Sequence, residues 1–168
     1  MIKAHLTGDT VSSNEQEAFN LQEKSTLGEK SGEKIQYSLS EALYLVEKKK
    51  MEIFSKNKKL TLNQLQDKFQ KTDKNIGVKY LVFKDLREKG YIVKTALKFG
   101  ADFRVYDKGI RPGMDHAKWI LYPVKESQKL TWHDFAAKNR IAHSTKKNLL
   151  IAIVDEESDV SYYEISWK

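Results

Sequence analysis

The sequence predicts a mixed α/β (α+β) protein of two small domains, and three observations carry that reading. Capped helical segments dominate the first half. Five short runs rich in β-branched and aromatic residues fill the second, with one capped helix among them. The apolar content of 40%, with 11% aromatics, is enough for packed cores and too high for a disordered chain. At 168 residues the chain can hold one ordinary domain or two small ones. The boundary is placed near residue 77. Residues 1–77 then form an N-terminal domain of helices with a small antiparallel sheet, and 78–168 a C-terminal domain with a mixed sheet flanked by helices.

In chain order, residues 1–12 alternate weakly and read as a strand and a turn around Gly8-Asp9. Residues 14–24 carry Ala18, Phe19 and Leu21 on a polar background, a short helix. Ser25 to Glu33 has two glycines and no apolar period, and reads as a loop. Lys34 to Tyr37 is strand-like. Ser38 stands three residues before Glu41, a capping box, and Ala42, Leu43, Leu45 and Val46 follow at helical spacing. That helix should end at Lys48-Lys49-Lys50, where cations suit the dipole. Met51 to Phe54 is a short strand, and Thr61 with Gln64 opens another capped helix to about Lys71. From Asp73 a longer helix carries Ile76, Tyr80, Leu81, Phe83 and Leu86 as its apolar stripe, and Gly90 ends it.

The second half then gives strands at Tyr91 to Val93, Phe103 to Tyr106, Trp119 to Val124, Leu149 to Val154 and Val160 to Trp167. Thr131 and Asp134 start a helix between the third and fourth. Leu149 to Val154 is apolar on both faces and is expected to be a covered, central strand. Helix, three strands, helix and two strands make a small layered α/β unit. No internal repeat or low-complexity segment interrupts the pattern.

Cysteine is absent, which excludes disulfides and thiolate metal sites and suits a reducing compartment. No apolar run approaches the ~18–20 residues that span a bilayer. The N-terminus lacks a signal-peptide core. A cytoplasmic protein without a membrane partner is expected. Net charge is +7, of which residues 78–168 hold +5, despite the acidic cluster Asp155-Glu156-Glu157-Ser158-Asp159. Such a field attracts polyanions, although a lysine- and glutamate-rich surface of a heat-adapted protein would look similar.

Three places could carry chemistry. The run Phe103 to Tyr106 ends at a polar turn. His116 is expected to open the next strand, which would place a phenol and an imidazole at neighbouring ends of one antiparallel pair. His143-Ser144-Thr145-Lys146-Lys147-Asn148 leads into the apolar run that follows. Taken singly, each has a bland reading: a packing tyrosine, a polar-edge histidine, a solvated lysine. Together they are the parts of a metal-free ribonuclease. Imidazole, titrating near ~6.5, suits a general acid, and a phenol near ~10 needs cations nearby to serve as a base. A lysine can stabilise charge developing on phosphoryl oxygens. Asp102, Asp107 and Asp115 leave open a metal-dependent nuclease, but they flank turns, where aspartate is common. His5 and His133 have no partner context, and His143 can serve simply to stabilise its turn. No cluster has metal-ligand spacing, so neither metal nor cofactor is expected.

Several strings, in this order, carry a resemblance to a known family: Lys79-Tyr80-Leu81-Val82-Phe83-Lys84-Asp85-Leu86-Arg87, Gly90-Tyr91-Ile92-Val93-Lys94, Phe99-Gly100-Ala101-Asp102-Phe103, and Ala142-His143-Ser144 through Asp155. A looser match runs through Ser38 to Leu45. The chain resembles the archaeal tRNA-intron splicing endonuclease, most densely over residues 75–168.

The resemblance implies a restriction-endonuclease-like catalytic domain and an RNA-splicing endonuclease (a tRNA-intron lyase). Such an enzyme cuts precursor tRNA at bulge-helix-bulge junctions without metal and leaves 2′,3′-cyclic phosphate and 5′-hydroxyl ends. It implies Tyr106, His116 and Lys147 as the catalytic residues, with Tyr106 as base. Lys146-Lys147 stands where the family usually has Arg-Lys, and the strand that follows sets the register on Lys147. It implies Arg140 as the arginine that holds a flipped-out bulge base, a task that suits a guanidinium plane. Trp167 is a second candidate platform. It also implies a C-terminal strand at a dimer interface. The acidic loop Asp155, Glu156, Glu157 and Asp159 would dock two dimers into a homotetramer, although some relatives recruit a separate non-catalytic subunit. The rival within the family is a non-catalytic RNA-binding subunit, which would be expected to lack the three residues this chain retains.

Overall fold

The computed structural model describes all residues, 1–168. The chain divides into two compact units, Met1–Tyr80 and Leu81–Lys168. No helix is long and apolar enough to cross a membrane.

In the first unit a six-stranded sheet runs in the order β3-β4-β2-β1-β5-β6. Its strands are β1 (Ile2–Thr7), β2 (Thr10–Ser13), β3 (Glu29–Ser31), β4 (Lys34–Tyr37), β5 (Met51–Ser55) and β6 (Lys58–Lys59), with helices α1 (Gln16–Ser25), α2 (Leu39–Glu47) and α3 (Leu62–Thr72). All pairs are antiparallel except β1 with β5. The strands alternate: Ile2 and Ala4, Ile35 and Tyr37, and Met51 and Ile53 point inward and are buried, while their neighbours are not.

The expected capping boxes are present. Ser38 Oγ accepts from Glu41 N at 3.3 Å, and Glu41 Oε2 accepts from Ser38 N at 2.9 Å. The same carboxylate reaches the preceding loop, where Gly28 N donates to Oε1 at 3.1 Å. Glycine is required there. At φ +84°, an added Cβ would lie 2.4 Å from Ile35 Cγ2.

The segment Ser25 to Glu33 is not all loop, because Glu29–Ser31 pairs with β4 as a hairpin. Its three residues are all exposed, so backbone pairing alone makes this strand and no hydrophobic alternation announces it.

Helix α4 (Ile76–Glu88) contains the division between the units. The second unit is a five-stranded sheet ordered β11-β10-β9-β8-β7. Its strands are β7 (Ile92–Ala96), β8 (Ala101–Tyr106), β9 (Trp119–Lys125), β10 (Asn148–Val154) and β11 (Val160–Ile165); α5 (Trp132–Ser144) connects β9 to its parallel neighbour β10. The other pairs are antiparallel.

One sheet face packs Ile120, Tyr122, Val124, Leu149 and Ile151 with Ala142, Phe135 and Ile141 of α5. On the other, Phe103 meets Phe83 of α4 with ring centroids 6.1 Å apart. Fully buried Ile120, Leu121 and Leu149 each contribute about 1.5–3 kcal/mol from burial. As expected, β10 is covered, with Leu149 to Ala152 buried. The middle strand of the five is β9, however, because β11 adds only one further strand beyond β10.

Candidate active site

Hydrogen-bonded register builds the site. Val105 of β8 lies opposite Trp119 of β9, and Trp119 lies beside Asn148 of β10. One step outward, Lys118 N donates to Val105 O at 2.9 Å, and Asn148 N donates to Lys118 O at 3.0 Å. The end of β8 and the starts of β9 and β10 are therefore tied side by side. Tyr106, Lys118 and Lys147 occupy one row across them. Residues two apart on a strand share a face. Tyr106 thus lies on the same face as Arg104, which is opposite Ile120, and Lys147 on the same face as Leu149. That is the face covered by α5.

Tyr106 is buried, with 6% of its surface exposed. Lys147 is half-buried. Its Nζ donates to Thr145 O at 3.1 Å and lies 5.6 Å from the centroid of the Phe99 ring. Burial, and then the charge of Arg104, hold its ammonium below the ordinary lysine range. The turn before it is tight. Lys147 N donates to Ala142 O at 2.8 Å, Lys146 N to His143 O at 3.0 Å, and Lys146 takes a left-handed φ of 57°. The lysine pair is thereby split: Lys146 faces solvent while Lys147 turns toward Phe99.

His116 does not open a strand. β9 begins at Trp119, and the histidine sits exposed in the connection 107–118. The displacement has a local cause. Arg111 O accepts from Met114 N, and Asp115 Oδ1 accepts from His116 N at 2.7 Å, so these residues turn instead of extending. Pairing resumes at Lys118, next to buried Ala117. His116 is two residues from the row that carries Tyr106 and Lys147.

Arg140 is exposed on α5. Trp167 is half-exposed and stacks on His143, with centroids 4.4 Å apart and planes 22° from parallel. His143 therefore has a ring partner that sequence did not reveal. The helix start is fixed by Thr131, whose hydroxyl and amide donate to the Asp134 carboxyl and hold it below its ordinary range.

The three aspartates separate in their roles. Asp102 helps push the Tyr122 phenol up to about 12, although burial is the larger cause. Asp107 faces Lys118 at 3.6 Å, and Asp115 accepts the His116 amide. They form no group of three metal-ligating side chains.

Phe99 and Arg104 were not visible as site residues. Arg104 is i−2 to Tyr106 on one strand face, a signal available in the sequence. Phe99 lies in a 3₁₀ turn (Leu97–Phe99) whose path sequence pattern does not give.

Residues 76–162 match the family model of the tRNA intron endonuclease catalytic C-terminal domain, and residues 2–66 match that of its N-terminal domain. The chain belongs to the tRNA intron endonuclease family. It is 42% identical to the tRNA-splicing endonuclease of Pyrococcus abyssi over 168 residues, covering 99% of this chain and 96% of that protein. The Thermococcus gammatolerans tRNA-splicing endonuclease is 44% identical over 169 residues, covering 99% and 98%. That of Nanoarchaeum equitans is 44% identical over 136 residues, covering 77% and 87%. All the site residues above except Trp167 lie within the span that the catalytic-domain model covers. Tyr106, His116 and Lys147 thus belong to an intron-endonuclease catalytic domain whose strand register brings their segments to one end of the sheet.

Proposed function

We propose that this chain is an endoribonuclease that excises introns from precursor tRNA at bulge-helix-bulge junctions. Residues 78–168 act as its catalytic domain and 1–77 as its N-terminal domain. The observation that carries the reading is the shared end of β8, β9 and β10, which gathers Tyr106, Lys147 and the His116 loop in a domain of this family.

Cleavage is a transesterification. The ribose 2′-oxygen attacks the adjacent phosphorus as Tyr106 takes its proton. A 2′-O–P bond forms and the P–5′-O bond breaks. His116 gives the leaving 5′-oxygen its proton, so the products are a 2′,3′-cyclic phosphate and a 5′-hydroxyl. Lys147 binds the non-bridging oxygens as their charge grows, where a preorganised cation lowers the barrier. Nothing in this scheme calls for a metal ion. Arg140 stacks on a displaced bulge base, and Trp167, backed by His143, offers a second platform.

The test is incubation with a bulge-helix-bulge RNA in excess chelator, followed by end-group analysis. Cyclic-phosphate and 5′-hydroxyl ends, formed at an undiminished rate, are expected. Loss of cleavage in chelator would transfer the chemistry to a metal-dependent scheme on the aspartates. Binding without cleavage under any condition would make the chain the family's non-catalytic RNA-binding subunit.

A further inference from the structure

The N-terminal unit hides a charge division. Residues 1–47 carry four lysines against eight carboxylates, whereas residues 48–74 carry nine lysines against three, and neither stretch has an arginine. Two of the nine line a groove of about 540 Å³, and a third adjoins one of its lining residues in sequence. Lys68 and Lys71 line it with Gly8, Asp9, Ser55 and Thr72, and Lys56 follows Ser55 directly. Lys68 and Lys71 lie one turn apart on α3, so they share a flank of the helix beside the buried Leu65 and Phe69. Lys59 is ion-paired to Glu52, but Lys68 and Lys71 have no carboxylate partner and both are exposed.

Asp9 is the groove's one carboxylate, and its Oδ1 accepts from the Thr72 hydroxyl at 3.0 Å. Two free ammoniums outnumber it. The β5–β6 turn holds Lys56 and Asn57 at left-handed φ of 48° and 64°, which presents Lys56 on an exposed hairpin tip.

The chemistry of these walls selects phosphate over base. Reading a base takes a stacking ring or a guanidinium plane, and the groove offers neither, since its one ring, Phe69, is only 2% exposed. Lysine is a compact point charge that suits a diester oxygen without imposing a base preference. We infer that this lysine-walled groove binds the phosphate backbone of the RNA substrate, a contact site in the N-terminal unit that is indifferent to sequence. The inference rests on the RNA-cleaving reading above and adds a second phosphate-binding region to it.

The experiment compares the full chain with a Lys68→Ala/Lys71→Ala variant. The probe is a bulge-helix-bulge RNA with 2′-deoxy residues at the junctions, so that binding is read without turnover. Each lost phosphate contact lowers the slope of log K against log salt by about 1. The double variant should therefore bind about 30- to 100-fold more weakly near 0.1 M salt, with a slope smaller by about 2. The loss should be the same for plain duplex RNA. Lys24→Ala/Lys34→Ala, the same charge removed from the acidic stretch, should change affinity less than about twofold. Lys68→Arg/Lys71→Arg keeps the charge and should bind as the wild type does, which separates phosphate contact from damage to α3.

Unchanged affinity and slope in the alanine variant, with a wild type that binds and cuts, would overturn this site and leave the enzyme reading intact. Weaker binding without a change in slope would overturn it as well. So would an altered sedimentation coefficient in the absence of RNA, which would assign the lysines to an acidic segment of another copy. A wild type that neither binds nor cuts the RNA would overturn both readings together.

Discussion

The Lys147 ammonium lies over the Phe99 ring, 5.6 Å from its centroid. With one proton given to Thr145 O at 3.1 Å, two donors remain for a phosphate. Removing such a donor from a transition-state oxyanion costs about 10²–10³ in rate. Lys147→Ala should lose that much in single-turnover cleavage, and Phe99→Leu about two- to fivefold, as befits a lost cation–π contact of about 0.5–1 kcal/mol. Lys146→Ala should stay within about threefold, since that side chain faces solvent; a larger loss there than at Lys147 would move the functional lysine by one residue.

A pH dependence follows from the same neighbourhood. Burial, then Arg104, lowers the proton affinity of Lys147, so its positive charge is lost at a lower pH than a solvated lysine's. Cleavage should therefore decline on the alkaline side before pH reaches ~10.4, the free-lysine value. Arg104→Gln removes the second cause and should move that limb to higher pH. A limb that stays in place would show that a different group sets it.

His116→Ala should lower cleavage by about 10²–10⁴, with RNA affinity close to that of the wild type. The side chain is exposed, so thermal stability should change by less than about 0.5 kcal/mol. A rate loss below about tenfold would remove His116 from the chemistry.

What sequence made legible follows from where physical signals are local. Capping boxes at Ser38, Thr61 and Thr131 involve residues three apart, and all three close as expected. Runs rich in β-branched and aromatic residues likewise marked β8, β9 and β10, the strands that frame the site. Strand β3 escaped because its residues face water and only its partner β4 makes it a strand. His116 was placed at a strand start because residue types do not reveal where pairing resumes after a turn closed by its own backbone. The contacts of Phe99 with Lys147, and of His143 with Trp167, join residues 48 and 24 positions apart, beyond the reach of any spacing rule.

Tyr162 on β11 donates to Asp85 on α4 at 2.6 Å, and Lys89 also holds that carboxylate at 2.8 Å. Burial, then Asp85, raises the phenol well above its ordinary range. Tyr162→Phe should cost about 1–2 kcal/mol at pH 7, or about 2–4 °C in Tm per kcal/mol. The sign with pH is fixed by the raised value. The phenol's contribution is complete below ~10, where the unfolded tyrosine is still neutral, and is lost as pH rises above that. The difference between variant and wild type in thermal melts should therefore shrink above pH ~10, and a difference that grows there would contradict the assignment.

The last prediction concerns assembly and the turn Asp155 to Asp159. Its four carboxylates are not equivalent. Asp155 Oδ1 accepts from Glu157 N and from Asp159 N, each at 2.9 Å, so this aspartate builds the turn that joins β10 to β11. Glu156, Glu157 and Asp159 are exposed, and their carboxylates project from a hairpin whose other strand, β10, is buried. They are the carboxylates available to another copy of this basic chain, as the dimer of dimers that the resemblance implies would require. Charge complementarity of this kind sets partner choice and weakens with salt. Reversal should therefore be made at these three positions, Glu156→Lys, Glu157→Lys and Asp159→Lys, with Asp155 kept so that the hairpin still folds. The wild-type chain should sediment as a homotetramer, and the triple variant as a folded dimer with little cleavage activity. An unchanged, fully active tetramer would refute docking through this loop. A wild-type dimer that becomes active only on addition of a second, non-catalytic protein would instead assign the loop to a heteromeric partner.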